Sequence, residues 1–257
     1  MKPRMKPRKA TYLLHRWLGL IVCIQLLAWS TGGLIFALLD IDTVHGDDDA
    51  HLDPPALIAI ELVRITPAQA IERAASAGAD AGDVAHALLR AGFDGSPEYL
   101  LRTQAGAPLA RVNASTGEAR LRITEAEAIE RARADFIHDS PIDSVLLIED
   151  VVPGEARGRS APLYRVVFDH PHGTRLYLDA VTGDVVARRN RSWRLFDWFW
   201  MLHIMDYNER DDFNHPLLIV FASLAVMTSA SGIGLWGWRT IPRVRRLIRR
   251  QEKQQES

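Results

Sequence analysis

One cysteine, Cys23, occurs in 257 residues, so the chain has no internal disulfide framework and no cysteine-based zinc site. Surplus positive charge is absent too. The chain holds 31 Lys+Arg against 32 Asp+Glu, a net charge of −1, which argues against a basic nucleic-acid binder. At 47% hydrophobic and 25% charged the mix excludes a disordered chain. No Ser/His/Asp order, phosphate loop or paired-carboxylate motif stands out, so no catalytic residue is assigned.

The most informative absence is local. Residues 17–39 and 216–238 contain no ionisable side chain except Cys23, and each stretch is 23 residues long. A helix of that length spans roughly 34 Å, enough for the hydrocarbon core of a bilayer. Both are predicted to be transmembrane helices. No small-x-small cleavage signature closes the first before Asp40, so it reads as an anchor and not a signal peptide.

The total charge conceals a separation. Residues 1–16 carry six cations and no acid, and residues 239–257 carry seven cations against two acids, together +11. The segment between the helices holds 18 Arg and 30 acids, a net of −12. Basic short tails stay in the cytoplasm, so both termini are expected inside and residues 40–215 in the periplasm of a bacterial inner membrane. Trp17, Trp236 and Trp238 sit where an aromatic belt places such rings. Residues 191–215 form an aromatic-rich segment ahead of the second span. Phe196, Phe199, Trp200 and His203 share one helical face, either an interfacial helix or a plain aromatic lead-in.

The middle segment is written twice. Residues 65–74 and 123–132 are identical except at Pro67/Glu125 and Gln69/Glu127, an offset of 58. Each copy opens on a Thr suited to cap a helix. Downstream, Asn113-Ala114-Ser115-Thr116-Gly117-Glu118 is answered by Asp179-Ala180-Val181-Thr182-Gly183-Asp184, turn chemistry that joins two strands. The eight extra residues of the second copy fall mainly in its loop 153–162. Repeat one is expected over 57–122 and repeat two over 123–190, after an acidic linker, 40–56. The predicted fold is α+β: tandem units of helix plus antiparallel sheet, covering each other's sheets, anchored by two transmembrane α-helices.

A helix and antiparallel strands closing on a D-x-x-T-G-[DE] hairpin resemble the PepSY domain. His15-Arg16-Trp17-Leu18-Gly19-Leu20, with Ser30-Thr31-Gly32-Gly33 further along, resembles the PepSY-associated transmembrane family. Phe196-Asp197-Trp198-Phe199-Trp200-Met201-Leu202-His203 and Ser231-Gly232-Ile233-Gly234-Leu235-Trp236 are similar to that family's closing helix. The resemblance implies a membrane-bound accessory in iron, siderophore or metal handling, with a siderophore-uptake or peptidase partner. It implies a periplasmic peptidase-regulating or protein-binding module as the alternative, and a haem-dependent ferric-siderophore reductase as a third. This chain has two apolar spans where the reductase-like members have four. It also lacks a dinucleotide-binding glycine motif.

For a haem b cofactor the candidate ligands are His15, His203 and His215. About 30 Å of membrane separates His15 from the other two, so it would pair with its mate in a homodimer, or His203 and His215 would ligate together. In the acidic linker, His45 and His51 flank Asp47, Asp48 and Asp49, where Fe or Mn could bind. His170 and His172 read as a polar turn at a hairpin tip. Ser30, Gly32 and Gly33 in the first span and Ser231, Gly232 and Gly234 in the second are expected to let the helices pack closely, within the chain or across a homodimer or larger membrane complex. The basic tails should attract anionic membrane lipid.

Overall fold

The computed structural model describes residues 7–52, 56–208 and 210–255. The cations Lys2, Arg4 and Lys6 of the N-terminal tail, and Asp53 of the linker, lie outside the described residues. In chain order the elements are α1 (Pro7–Leu38), α2 (Ile41–His45), α3 (Pro67–Ser76), β1 (His86–Ala91), β2 (Pro97–Arg102), β3 (Pro108–Asn113), β4 (Ala119–Arg120), α4 (Glu125–Asp135), β5 (Ile142–Ile148), β6 (Leu163–Phe168), β7 (Arg175–Asp179), β8 (Val185–Arg189), α5 (Arg191–Ile204) and α6 (Pro216–Gln255). They divide into a helical unit, residues 7–38 with 197–255, and a two-sheet unit, residues 39–196.

Each repeat begins on the same local device. The Thr66 hydroxyl accepts from the Gln69 N–H at 3.3 Å while the Gln69 side chain accepts from the Thr66 N–H at 2.9 Å. Thr124 and Glu127 repeat the exchange at 3.2 and 2.7 Å. These reciprocal capping boxes satisfy donors that a helix start leaves without partners. The hairpins are equally alike. Asn113 Oδ1 accepts from the N–H groups of Ser115 and Thr116, and Asp179 Oδ1 from those of Val181 and Thr182. Gly117 and Gly183 then take φ of 77° and 74°, a region that excludes most side chains.

Sheet one runs β1-β2-β3-β4 and sheet two β5-β6-β7-β8, both antiparallel meanders. α3 lays Ala70 and Ala74 on Tyr99, Leu101, Ala110 and Val112. α4 lays Ala128, Ala132 and Phe136 on Tyr164, Val166, Phe168, Leu176 and Leu178. Alanines on the buried helix faces let each helix sit close to its sheet, with the bulk supplied by alternate strand residues.

The second faces of the sheets differ. Sheet one turns Glu98 and Arg111 toward the hairpin of repeat two, where Arg111 Nε donates to the Val181 carbonyl at 2.7 Å. The corresponding face of sheet two is covered by repeat two's own loop. Ala156, fully buried, packs with Leu163, Tyr177 and Ala187. The expectation that the repeats cover each other's sheets therefore holds for sheet one only. The residues inserted in the second copy supply the other lid.

Glu155 pins that lid. Its carboxylate accepts from Arg194 Nε at 2.8 Å, Arg175 Nη1 at 3.0 Å and the Tyr177 hydroxyl at 3.0 Å. Burial works to raise its carboxyl, but the hydrogen bond and charge of Arg194, then Arg175 and Tyr177, hold it below the usual range. A depressed carboxyl contributes stability above its ordinary value of about 4.3 and loses it as pH falls through the folded value. Glu155→Gln should cost about 1–2 kcal/mol at neutral pH, with the gap to wild type closing toward about pH 3. Thermal unfolding at both pH values checks this. A gap that stays constant would mean the charge of Glu155 is not what holds the loop.

The helical unit contains the two helices long and apolar enough to cross a membrane, Thr11–Leu38 of α1 and Pro216–Val244 of α6. Both helices continue past the uncharged stretches into basic residues, since Arg and Lys are good helix formers and no cap intervenes. α1 and α6 pack together through Gly19, set against Thr228, and through His15, whose Nδ1 lies 2.7 Å from Ser231 Oγ. A Cβ added at Gly232 would lie 3.1 Å from His15 Cε1, whereas one at Gly33 or Gly234 would meet nothing within 4 Å. Gly32 faces Phe199 of α5. The small residues of the two spans are thus not brought together as sets. Ser231 and Gly232 meet His15, four residues before Gly19, so the register places Ser30, Gly32 and Gly33 elsewhere. Gly232→Leu should destabilise the helix pair by about 1–3 kcal/mol, and Gly33→Leu should leave it unchanged. Unfolding of the detergent-solubilised variants would separate the two, and equal effects would refute the register.

Candidate metal centre

The acidic linker is ordered where it meets repeat two. Asp40 caps α2, accepting from the N–H of Asp42, and Gly46 at φ 77° ends that helix. The chain then lies along the end of α4. His51 N–H donates to the Asp135 carbonyl at 2.7 Å, Ile137 N–H to the Asp49 carbonyl at 3.1 Å, and Ala50 bridges Phe136. These bonds carry the Asp49 side chain inward until the residue is only 8% exposed.

Two other elements converge on it. His138 follows α4 by three residues, just past the Phe136 cap. The turn between β6 and β7 closes through the Gly173 N–H donating to the His170 carbonyl, with Gly173 at φ 61°, and presents His170 and His172. The His138 and His170 rings stack, centroids 4.5 Å apart, and His172 meets His170 edge-on at 4.7 Å. Phe136 supports the pair at 5.1 and 5.3 Å from His138 and His170. One nitrogen from each of the three imidazoles lies within 4.8 Å of the others.

Asp49 organises the cluster. Its Oδ1 lies 2.7 Å from His138 Nε2 and its Oδ2 2.9 Å from His172 Nδ1. Burial acts to raise the Asp49 carboxyl, but the hydrogen bonds of His172 and His138 outweigh it and hold the carboxyl below its usual range. Burial, then the neighbouring His138 and His172, push the His170 imidazole down, toward the neutral form that binds metal. A carboxylate receiving one ring N–H fixes the tautomer and turns the opposite nitrogen into a donor. Each of these two imidazoles keeps one further ring nitrogen, and His170 supplies a third donor. A tetrahedral ion with bonds of about 2.0–2.1 Å sets its ligands about 3.3 Å apart, against the 4.8 Å within which one nitrogen of each ring lies here. Three imidazoles and a carboxylate suit Zn(II), Cu(II), Ni(II) or Fe(II) better than Ca(II) or Mg(II).

Of the linker histidines expected to bind metal, neither joins the cluster. His45 and His51 are exposed, while Asp49, between them, does join. His170 and His172 are members. His138 has no sequence signal, since a lone histidine 32 residues from its partners follows no spacing rule.

The haem candidates all fall in the helical unit. His15 uses Nδ1 on Ser231. His203 lies among Trp29, Phe36 and Trp200, ring centroids 5.9, 5.8 and 6.5 Å away. The Nδ1 atoms of His203 and His215 are buried without a hydrogen-bond partner among the described residues. As donors, those two fit a haem better than His15.

Residues 122–189, nearly the whole of repeat two, match the PepSY family, described as "Peptidase propeptide and YPEB domain". No curated protein and no solved structure matches the chain. The matched segment holds α4, the four strands of sheet two, the loop pinned by Glu155 and all three histidines of the cluster. The chain thus carries a PepSY match in its second repeat, set in sequence between two helices long and apolar enough to cross a membrane.

Proposed function

We propose that this protein is a membrane-anchored accessory in metal handling, binding a divalent d-block ion on its two-sheet unit through His138, His170 and His172, with Asp49 orienting two of the three imidazoles. The observation that carries this reading is the meeting of three imidazoles from two segments, two of them hydrogen-bonded to a buried carboxylate from a third. The +11 of the tails and the −12 between the spans support cytoplasmic termini and a periplasmic two-sheet unit in a bacterial inner membrane. An acidic periplasmic face would also gather cations. Iron is the metal that the family resemblance favours.

The test is titration of the full chain in detergent with Co(II), whose visible bands report coordination number, followed by displacement with Zn(II). One tetrahedral Co(II) per chain is the expected result. Octahedral bands like those of the free ion, or binding that persists without the three histidines, would overturn the reading.

Two other readings have their own observations. Buried, unpartnered Nδ1 atoms on His203 and His215 favour haem b, which would supply one-electron chemistry when bound. A reduced visible spectrum without a Soret band after expression with haem counts against it. The family description favours peptidase regulation, tested by protease inhibition with the full chain.

A further inference from the structure

We infer that the cleft between the two repeats is a binding site for a carboxylate group, held by Arg131 of α4 and Arg111 of β3. The cleft is a cavity of about 240 Å³ roofed by β2 and β3 of repeat one and floored by α4 of repeat two. It is separate from the histidine cluster and does not rest on the metal reading.

Two guanidinium groups line it with donors unused. Arg111 is 6% exposed; its Nε serves the Val181 carbonyl, its Nη1 reaches Glu98 only at 3.5 Å, and its Nη2 is buried with no partner. Arg131 has a buried Nε with no partner and, among the described residues, no carboxylate within ion-pair distance. Its guanidinium rests 4.5 Å over the Phe93 ring. It is also pressed on Gly183, where a Cβ would lie 2.6 Å from the guanidinium carbon. Burial, and then the charge of Arg111, push the Arg131 guanidinium down from its usual range. A cation taken from water without an anion to pair with is a costly arrangement, and such sites mark places where a ligand completes the structure.

The duplication supplies an internal comparison. Arg73 occupies the equivalent position on α3, where a Cβ added at Gly117 would lie 3.6 Å from its Nε, and is exposed. Only the second copy has the other repeat's sheet laid across it, so only Arg131 is enclosed.

Four of the five acids that line the cleft are already engaged, and the fifth, Glu130, is exposed on α4. Glu127 caps Thr124 and pairs with Arg120, Glu118 pairs with Arg120, Asp94 accepts from Ser96, and Glu98 pairs with Arg90 at 2.8 Å. They leave the two arginine donors unspent, and their own charge disfavours a dianion such as phosphate. A carboxylate matches a planar guanidinium fork and carries one charge. The volume suits a free amino acid or the C-terminal end of a peptide.

Calorimetric titration of the full chain in detergent with trialanine, its C-terminal amide and alanine tests the site. Trialanine should bind, and the amide at least about tenfold more weakly. Alanine binding as well as trialanine identifies a free amino acid as the ligand; alanine failing where trialanine binds identifies a chain end. Arg131→Met keeps the stem over Phe93, so it should abolish binding while the unfolding midpoint stays level or rises. Arg111→Lys, which keeps the charge and loses the fork, should weaken binding about tenfold. Equal binding of acid and amide, no binding of either acid, or a lower midpoint for Arg131→Met would overturn the assignment.

Discussion

Replacing His170 by alanine should lower the affinity of the chain for Zn(II) or Co(II) by more than about a hundredfold, beyond the loss expected from any outer partner. His170 is the one imidazole of the cluster that donates no hydrogen bond to Asp49, and its Nδ1 accepts only a long one, 3.4 Å, from the His172 N–H. Asp49→Asn should cost less, about 10–100-fold, because it removes the group that sets the tautomers of His138 and His172 but no imidazole. His45→Ala and His51→Ala, in the same acidic linker, should change nothing. Competition against a chelator of known affinity measures all four. Affinity should also fall at acid pH, because imidazoles bind metal only in their neutral form, while the depressed carboxyl keeps Asp49 ionised. Equal affinities for wild type and His170→Ala would end the metal assignment.

Removing the carboxylate of Glu98 should be the most damaging single change in the two-sheet unit. Glu98 is 7% exposed and accepts from Arg90 at 2.8 Å, with Arg111 at 3.5 Å on its other oxygen. Arg90 in turn reaches Asp184 and the Thr182 carbonyl in the hairpin of repeat two, so the three residues form the polar seam between repeats. Glu98→Ala would leave Arg111 buried beside Arg131 with no anion against it. Breaking a buried pair costs about 3–5 kcal/mol. We expect about 3 kcal/mol, the low end, because the Arg90 side chain is 26% exposed and can turn to water. The double variant Glu98→Met with Arg111→Met should recover most of the loss, since removing both charges also removes their desolvation cost. Denaturant unfolding of the three proteins checks this, and a double variant no better than the single one would show that the pair is not the cause.

Much of the architecture was legible along the chain because it rests on short-range rules. The Thr caps and the Asx turns with Gly at positive φ each act within six residues, whereas the interleaving of apolar and polar residues in β6 and β7 gives way to burial on both faces, Leu176, Tyr177 and Leu178 all being buried. Residues 86–91 form β1 because pairing with β2 decides a stretch whose own residues favour no one element. The lid of repeat two was visible only as an insertion. What it covers depends on a sheet face that adjacent residues do not report.

The sequence by itself determined the two uncharged spans, the charge asymmetry, the duplication and the α+β class, since hydrophobic length and local hydrogen bonding need no distant partner. Tertiary structure alone decided which polar groups meet. The linker histidines stay outside while the aspartate between them turns in, because backbone bonds to the end of α4 choose the face that Asp49 presents. His138, 32 residues from its nearest partner, joins His170 and His172 because α4 and the β6–β7 turn lie at one end of sheet two. Two copies of one arginine, Arg73 and Arg131, differ in burial because only one has a sheet laid over it. Chemistry at these sites follows from enclosure, and enclosure is a property of the fold.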